Sequence, residues 1–181
     1  MGLARPTCSS MQPSSPVRGR PFGPVHTYPM DQPDLPADAD LVAALAATPA
    51  DLRSVCVAAI GVLENALAEG RQLVEWIPPE QVDKNTWTEG WASYDDDVLW
   101  NALQAARTVI AETNLGSFWV AELPDSVAVV DAGSLAETAA FLNTIHHRER
   151  IVEGLLATCL DRGLLLAALL RLRSAFPAAG H

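Results

Sequence analysis

The densest polar group in an otherwise apolar stretch is His146-His147-Arg148-Glu149-Arg150, with Glu153 shortly after it. His146, Glu149 and Glu153 are spaced three and four apart, which puts them on one face of a helix. Such a face suggests three kinds of chemistry. A carboxylate-bridged metal site in a bundle takes two Glu-x-x-His motifs and two further glutamates. Here the order is reversed and the motif is single, so no metal ligand is assigned. A binding or proton-transfer site would use Arg148 or Arg150 to hold an anion and Glu149 or His147 to move protons. A structural ion network would use His147, Arg148, Glu149, Arg150 and Glu153 to tie the last helices to the tryptophan-rich segment before them.

All five tryptophans fall between positions 76 and 119. Trp87 and Trp91 have polar neighbours and, with Tyr94, are expected to form an aromatic surface of the kind that protein interfaces favour. Asp95-Asp96-Asp97 follows directly. Consecutive helical residues point in different directions, so the triplet suits the positive end of a helix better than a magnesium ion. The sequence has no glycine-rich phosphate loop, no Gly-x-Ser-x-Gly elbow and no His-Glu-x-x-His motif. No catalytic residue and no cofactor is assigned.

These residues need helices to position them. Hydrophobic residues make up 49% of the 181 and charged residues only 19%, with alanine and leucine filling the difference. That composition favours helix. Leu41, Val42 and Leu45 open a first helical region over 37–69, which Pro49 interrupts. Thr48 is the expected N-cap of its second half. Leu52, Val55, Cys56, Ala59, Ile60, Leu63 and Leu67 then follow the rhythm of a buried stripe until Gly70. A second long helix is expected over 95–114. Ser134 and Glu137 have capping-box spacing before a third helical block, which Gly163 divides. The expected fold is all-α, a single bundle of four to six helices over 37–181, with a minor strand pair near 118–130.

Residues 1–36 hold eight of the thirteen prolines and no apolar rhythm, which predicts a disordered tail. Before Asp31 there are three arginines and no acid, whereas from Asp31 on there are 9 basic and 22 acidic residues. Two explanations remain open for this break. Either Met30 is the true start, or a basic tail docks on a partner. The net charge of −10 disfavours phosphate backbones and anionic membrane surfaces. The longest strongly apolar run, 164–170, is too short to span a bilayer. Cys8, Cys56 and Cys159 are odd in number and widely spaced, as reduced thiols of a cytoplasmic protein would be.

The C-terminal block FLNTIHHRERIVEGLLATCLDRGLLLAALLRL resembles the closing segment of an uncharacterised bacterial family, the 6508-type domain of unknown function. The matching residues are Arg148, Glu149, Arg150, Glu153, Gly154, Leu155, Gly163, Leu169 and Leu172. The aromatic region with Tyr94, and the helix after it, resemble the family's middle, and the likeness covers about 40–181. Two positions depart from the pattern. Ile151 replaces an aromatic residue, and Phe118 runs straight into Trp119 without an intervening aspartate. The resemblance implies a helical bacterial domain and brings no activity with it. The expected function is therefore a non-enzymatic protein-binding or accessory module with a protein partner or a second copy, without nucleic acid or membrane. The alternative is a cryptic enzyme or small-ligand binder, with a pocket between the tryptophan-rich segment and residues 146–153.

Overall fold

The computed structural model describes residues 35–84, 86, 88, 90–113 and 118–177, with the side chain of Asp96 excepted. The tail expected over 1–36 lies outside this set except for its last two residues. Leu35 packs against the core, so the folded unit begins before the expected boundary.

Among the described residues the fold is mostly helical, as expected, with seven α-helices and one small sheet. They are α1 (Asp38–Ala47), α2 (Ala50–Ala68), α3 (Asn101–Glu112), α4 (Val127–Ala132), α5 (Leu135–Arg148), α6 (Leu155–Asp161) and α7 (Leu164–Ser174). A π-helical turn, Asp96–Trp100, leads into α3, where one continuous helix was expected. β1 (Val74–Ile77) and β2 (Trp91–Tyr94) pair antiparallel, with Val74 opposite Tyr94 and Trp76 opposite Ala92. No single helix among the described residues is long and apolar enough to cross a membrane.

Local chemistry sets the ends of these elements. α2 finishes in a Schellman motif: Gly70 takes φ +72°, its N–H reaches Leu67, and Arg71 N–H reaches Ala66. Gly163, also at φ +72°, separates α6 from α7 as the spacing predicts. The capping box of α5 is complete, with Glu137 N–H donating to Ser134 Oγ at 3.1 Å and Ser134 N–H to Glu137 Oε2 at 2.6 Å. Asp38, ninety-seven residues earlier, adds a third bond by accepting from Leu135 N–H at 2.8 Å. Thr48 does not cap α2. Its hydroxyl turns back to Ala44 O of α1, and Pro49 takes the cap position. Arg53 closes this corner by donating to the carbonyls of Leu45, Ala46 and Thr48.

The core runs through the middle of the bundle, where Ile60, Leu63, Leu99, Leu103, Ile110, Leu142, Ile145, Leu165 and Leu169 are fully buried. Val55 is 59% exposed, although its type and spacing placed it in the buried stripe. At about 100° per residue it lies roughly a quarter-turn from the centre of the stripe that Cys56, Ile60 and Leu63 define.

The strand pair lies at 74–77 and 91–94, not near 118–130. Two causes move it. The segment 118–121 bonds to side chains of α5 and, among the described residues, to no neighbouring strand. Asn143 donates to Phe118 O, Thr144 Oγ1 accepts from Val120 N–H at 2.9 Å, and Arg148 donates to the carbonyls of Val120 and Ala121. The β-branched run Val127–Ala132 becomes α4, which packs on α7. Packing there overrides strand propensity.

Candidate functional site

The C-terminal turn of α5 carries the polar stretch singled out in the sequence, and the structure fans it outward. Each side chain meets a different neighbour. The half-buried His146 has its Nε2 3.0 Å from the Arg107 guanidinium of α3 and its ring edge-on to Trp100, with centroids 5.6 Å apart. His147 is exposed and rests edge-on against Trp119 at 4.3 Å. Arg148 clasps the 120–121 carbonyls at 3.3 and 3.2 Å. Arg150 and Glu153 are exposed.

Glu149 is the centre of the arrangement and only 9% exposed. Its carboxylate accepts from the Tyr94 hydroxyl of β2, from Gly154 N–H at 3.0 Å and from Leu156 N–H at 2.5 Å. Gly154, at φ +82°, holds the N-cap position of α6 and has no side chain with which to cap it. A carboxylate from the previous helix fills that role, at the end of the helix where negative charge is favoured. Burial, and then the hydrogen bond to Glu149, raise the Tyr94 hydroxyl well above the usual phenol range. Tyr94 also stacks edge-on against Trp100 at 6.2 Å, so the hairpin meets the π-helical turn ahead of α3 through the same residue that bonds Glu149.

The interactions tie the hairpin, the end of α5 and the start of α6 together. Arg148 and Glu149 bond to backbone groups and to a phenol. The ion pairs among the described residues, Arg71–Asp95 at 2.6 Å and Arg173–Glu64 at 2.8 Å, lie elsewhere. Asp95 of the acidic triplet is thus the partner of Arg71. The two elements between which a ligand pocket was expected are in direct hydrogen-bond contact through Tyr94 and Glu149. A cavity of about 410 Å³ lies instead between the 120–125 segment, α4 and α5.

His146 has a testable signature. Burial, then the charges of Arg107, Arg150 and His147, push its pKa down to about 4 from 6.5. Because arginine only donates, Nε2 accepts and the ring is neutral. Between pH 6.5 and 4 the unfolded chain binds the proton that the folded one refuses, so this contribution falls as pH drops through that window. The half-buried setting limits it to about 1–2 kcal/mol. The stability advantage of wild type over His146→Gln should shrink by that amount from pH 6.5 to 4 in urea titrations. A His146 ring resonance that titrates above pH 6 would contradict it.

The residues expected to form an aromatic surface are placed differently. Trp91 is 44% exposed, Tyr94 is turned inward to Glu149, and Trp87 lies outside the described residues. Trp76, not singled out from the sequence, is 59% exposed. A Cβ built on Gly90 would lie 3.1 Å from its ring, so glycine there leaves room for the indole, whereas one on Gly154 would lie 4.0 Å away, at ordinary contact distance. The loop between the strands extends the ladder, with Thr88 N–H donating to Glu80 O at 2.8 Å and Val82 N–H to Thr86 O at 2.9 Å. Val82, 66% exposed, and Ile151, 75% exposed, add apolar surface at the tip and in the 150–154 turn. The signal available in the sequence was position: Trp76 precedes Ile77-Pro78-Pro79, where an extended strand must end.

Neither of the two described thiols, Cys56 and Cys159, has the lowered pKa of a reactive cysteine. Burial pushes Cys56 up to about 12, and burial, partly offset by Arg162, pushes Cys159 up to about 11. Comparison of the chain with protein-family models, with curated proteins and with solved structures finds no match.

Proposed function

We propose that the protein is a non-enzymatic protein-binding module that presents the β1–β2 hairpin as its contact surface. One observation carries this reading: Trp76 and Trp91, which the strand register places one on each face of the hairpin, are 59% and 44% exposed on an element clamped by Tyr94 and Glu149. Exposed tryptophans on a fixed backbone are favoured anchors, because little side-chain freedom remains to be lost on binding. The acids Glu75, Glu80 and Asp83 are exposed around them, which favours a partner whose contact face is apolar at its centre and basic at its rim. The likeness of the Arg148–Glu153 string to the 6508-type family is part of the same proposal. It would make the Glu149 clasp a shared structural element.

The test is cross-linking with a photoreactive residue at Val82, in purified chain and in cell extract, together with native mass spectrometry. A discrete dimer or hetero-conjugate should form and should vanish in a Trp76→Ser/Trp91→Ser variant of unchanged melting temperature. A monomer that forms no discrete conjugate in either setting would refute the proposal.

A further inference from the structure

The cavity of about 410 Å³ is on another part of the molecule from the hairpin, and its lining is chemically divided. Val130 and Phe141 at its base are 6% and 2% exposed, and the half-buried Val120 and Leu123 extend this apolar wall. Glu122, Asp125 and Glu137 also line it, and all three are exposed. No lysine or arginine is among the described lining residues. Two arginines do bond to the same walls from outside. Arg162 donates to Asp125 O, and Arg171 donates to the carbonyls of Asp131 and Gly133. Both groups are directed at backbone oxygens, so among the described residues no cation faces the three carboxylates inside the cavity.

We infer that this cavity is a binding site for a small amphipathic cation, an aromatic or aliphatic body carrying one ammonium group. The volume lies within the range of small-molecule sites, of about 300–1,000 Å³. The apolar base gives an organic body a place to leave water, and the carboxylates select the charge of its head. Glu137 Oε2 is already held by Ser134 N–H and Oγ at 2.6 and 3.0 Å, so this carboxylate is fixed before a ligand arrives. Asp125 Oδ1 accepts from Ser126 Oγ at 3.0 Å. Glu122 and Asp125 are the residues to change, since Glu137 also caps α5. The rim carboxylates are exposed, so salt should screen the preference for a cation.

A series of equal shape isolates the role of charge: 4-phenylbutylamine, 4-phenylbutanol and 4-phenylbutyrate, titrated into the 15N-labelled full chain and followed by amide shifts. The amine should bind about tenfold more tightly than the alcohol, and the acid more weakly still, with shifts confined to 120–141. Glu122→Gln/Asp125→Asn should remove most of the amine's advantage over the alcohol, with Glu137 keeping the remainder. Val129→Trp, a change at a 49% exposed lining position, should weaken all three while the fold is retained. Equal binding of amine and alcohol, shifts centred on the hairpin, or no saturable shift with any of the three would each overturn the inference.

Discussion

Glu149→Ala should lower the stability of the domain by about 3–5 kcal/mol, the largest effect expected of any polar substitution in the chain. The change leaves a phenol and two backbone N–H groups without their acceptor: Tyr94 on the hairpin, and Gly154 and Leu156 at the start of α6. Each orphaned donor in a buried setting costs about 1–3 kcal/mol. For a domain of this size the melting temperature should fall by roughly 8–15 °C. Glu149→Gln keeps one acceptor oxygen but turns an amide N–H₂ toward a donor, and should lose about half as much. Tyr94→Phe should lose only about 1 kcal/mol and should couple strongly to Glu149→Ala in a double-mutant cycle. Thermal unfolding by circular dichroism reads all four. A Glu149→Ala protein that melts within 2 °C of wild type, by the scale of about 2–4 °C per kcal/mol, would remove the clasp from this account of the fold.

The second large effect is expected at Arg171. α4 has six residues, far fewer than an isolated helix needs, and it survives by packing on α7. Arg171 of α7 fastens its C-terminal end, donating to Asp131 O at 2.5 Å and to Gly133 O. Its Nε is buried without an acceptor among the described residues, which subtracts from what the two bonds provide. Arg171→Met keeps most of the apolar stem and removes both bonds. The expected loss is about 2–3 kcal/mol, or roughly 5–10 °C in melting temperature. Hydrogen exchange locates the damage. Amides of 129–133 should lose protection well before those of α2 and α3, because sub-global opening starts where tertiary anchoring is removed. Uniform loss across all helices would show that α4 is not a separately held element. The same variant should also weaken ligand binding at the cavity that α4 walls.

What could be read from the sequence was what local chemistry decides. Ser134 and Glu137 announced a capping box because both halves lie within one turn. Gly70 and Gly163 announced helix ends because only glycine takes φ +72° without strain. Cys56, Ile60 and Leu63 announced a core through their spacing, and all three are buried. What could not be read was decided by contacts far along the chain. Strand pairing at 74–77 depends on meeting 91–94 across a loop. The extended segment 118–121 looked like a strand in need of a partner, and no local signal says that Thr144, Asn143 and Arg148 would satisfy its backbone. The stretch from His147 to Glu153 stood out by its density of polar residues, but its geometry was not legible. Helical spacing places His146 and Glu149 on neighbouring positions, yet it does not say that one faces Arg107 and the other Tyr94, fifty-five residues away. Trp76 was passed over because a tryptophan in an apolar run reads as core.

The two buried sulfurs, Cys56 on α2 and Cys159 on α6, are 0% and 1% exposed. Their encounter with any dissolved oxidant or alkylating reagent is therefore gated by how often the surrounding helices part. One sulfur sits in the longest helix, the other in a seven-residue helix that borrows its cap from Glu149. These two described thiols are thus internal clocks set to different doors, and of the two, Cys159, in the short helix that Glu149 caps, should be the first to react.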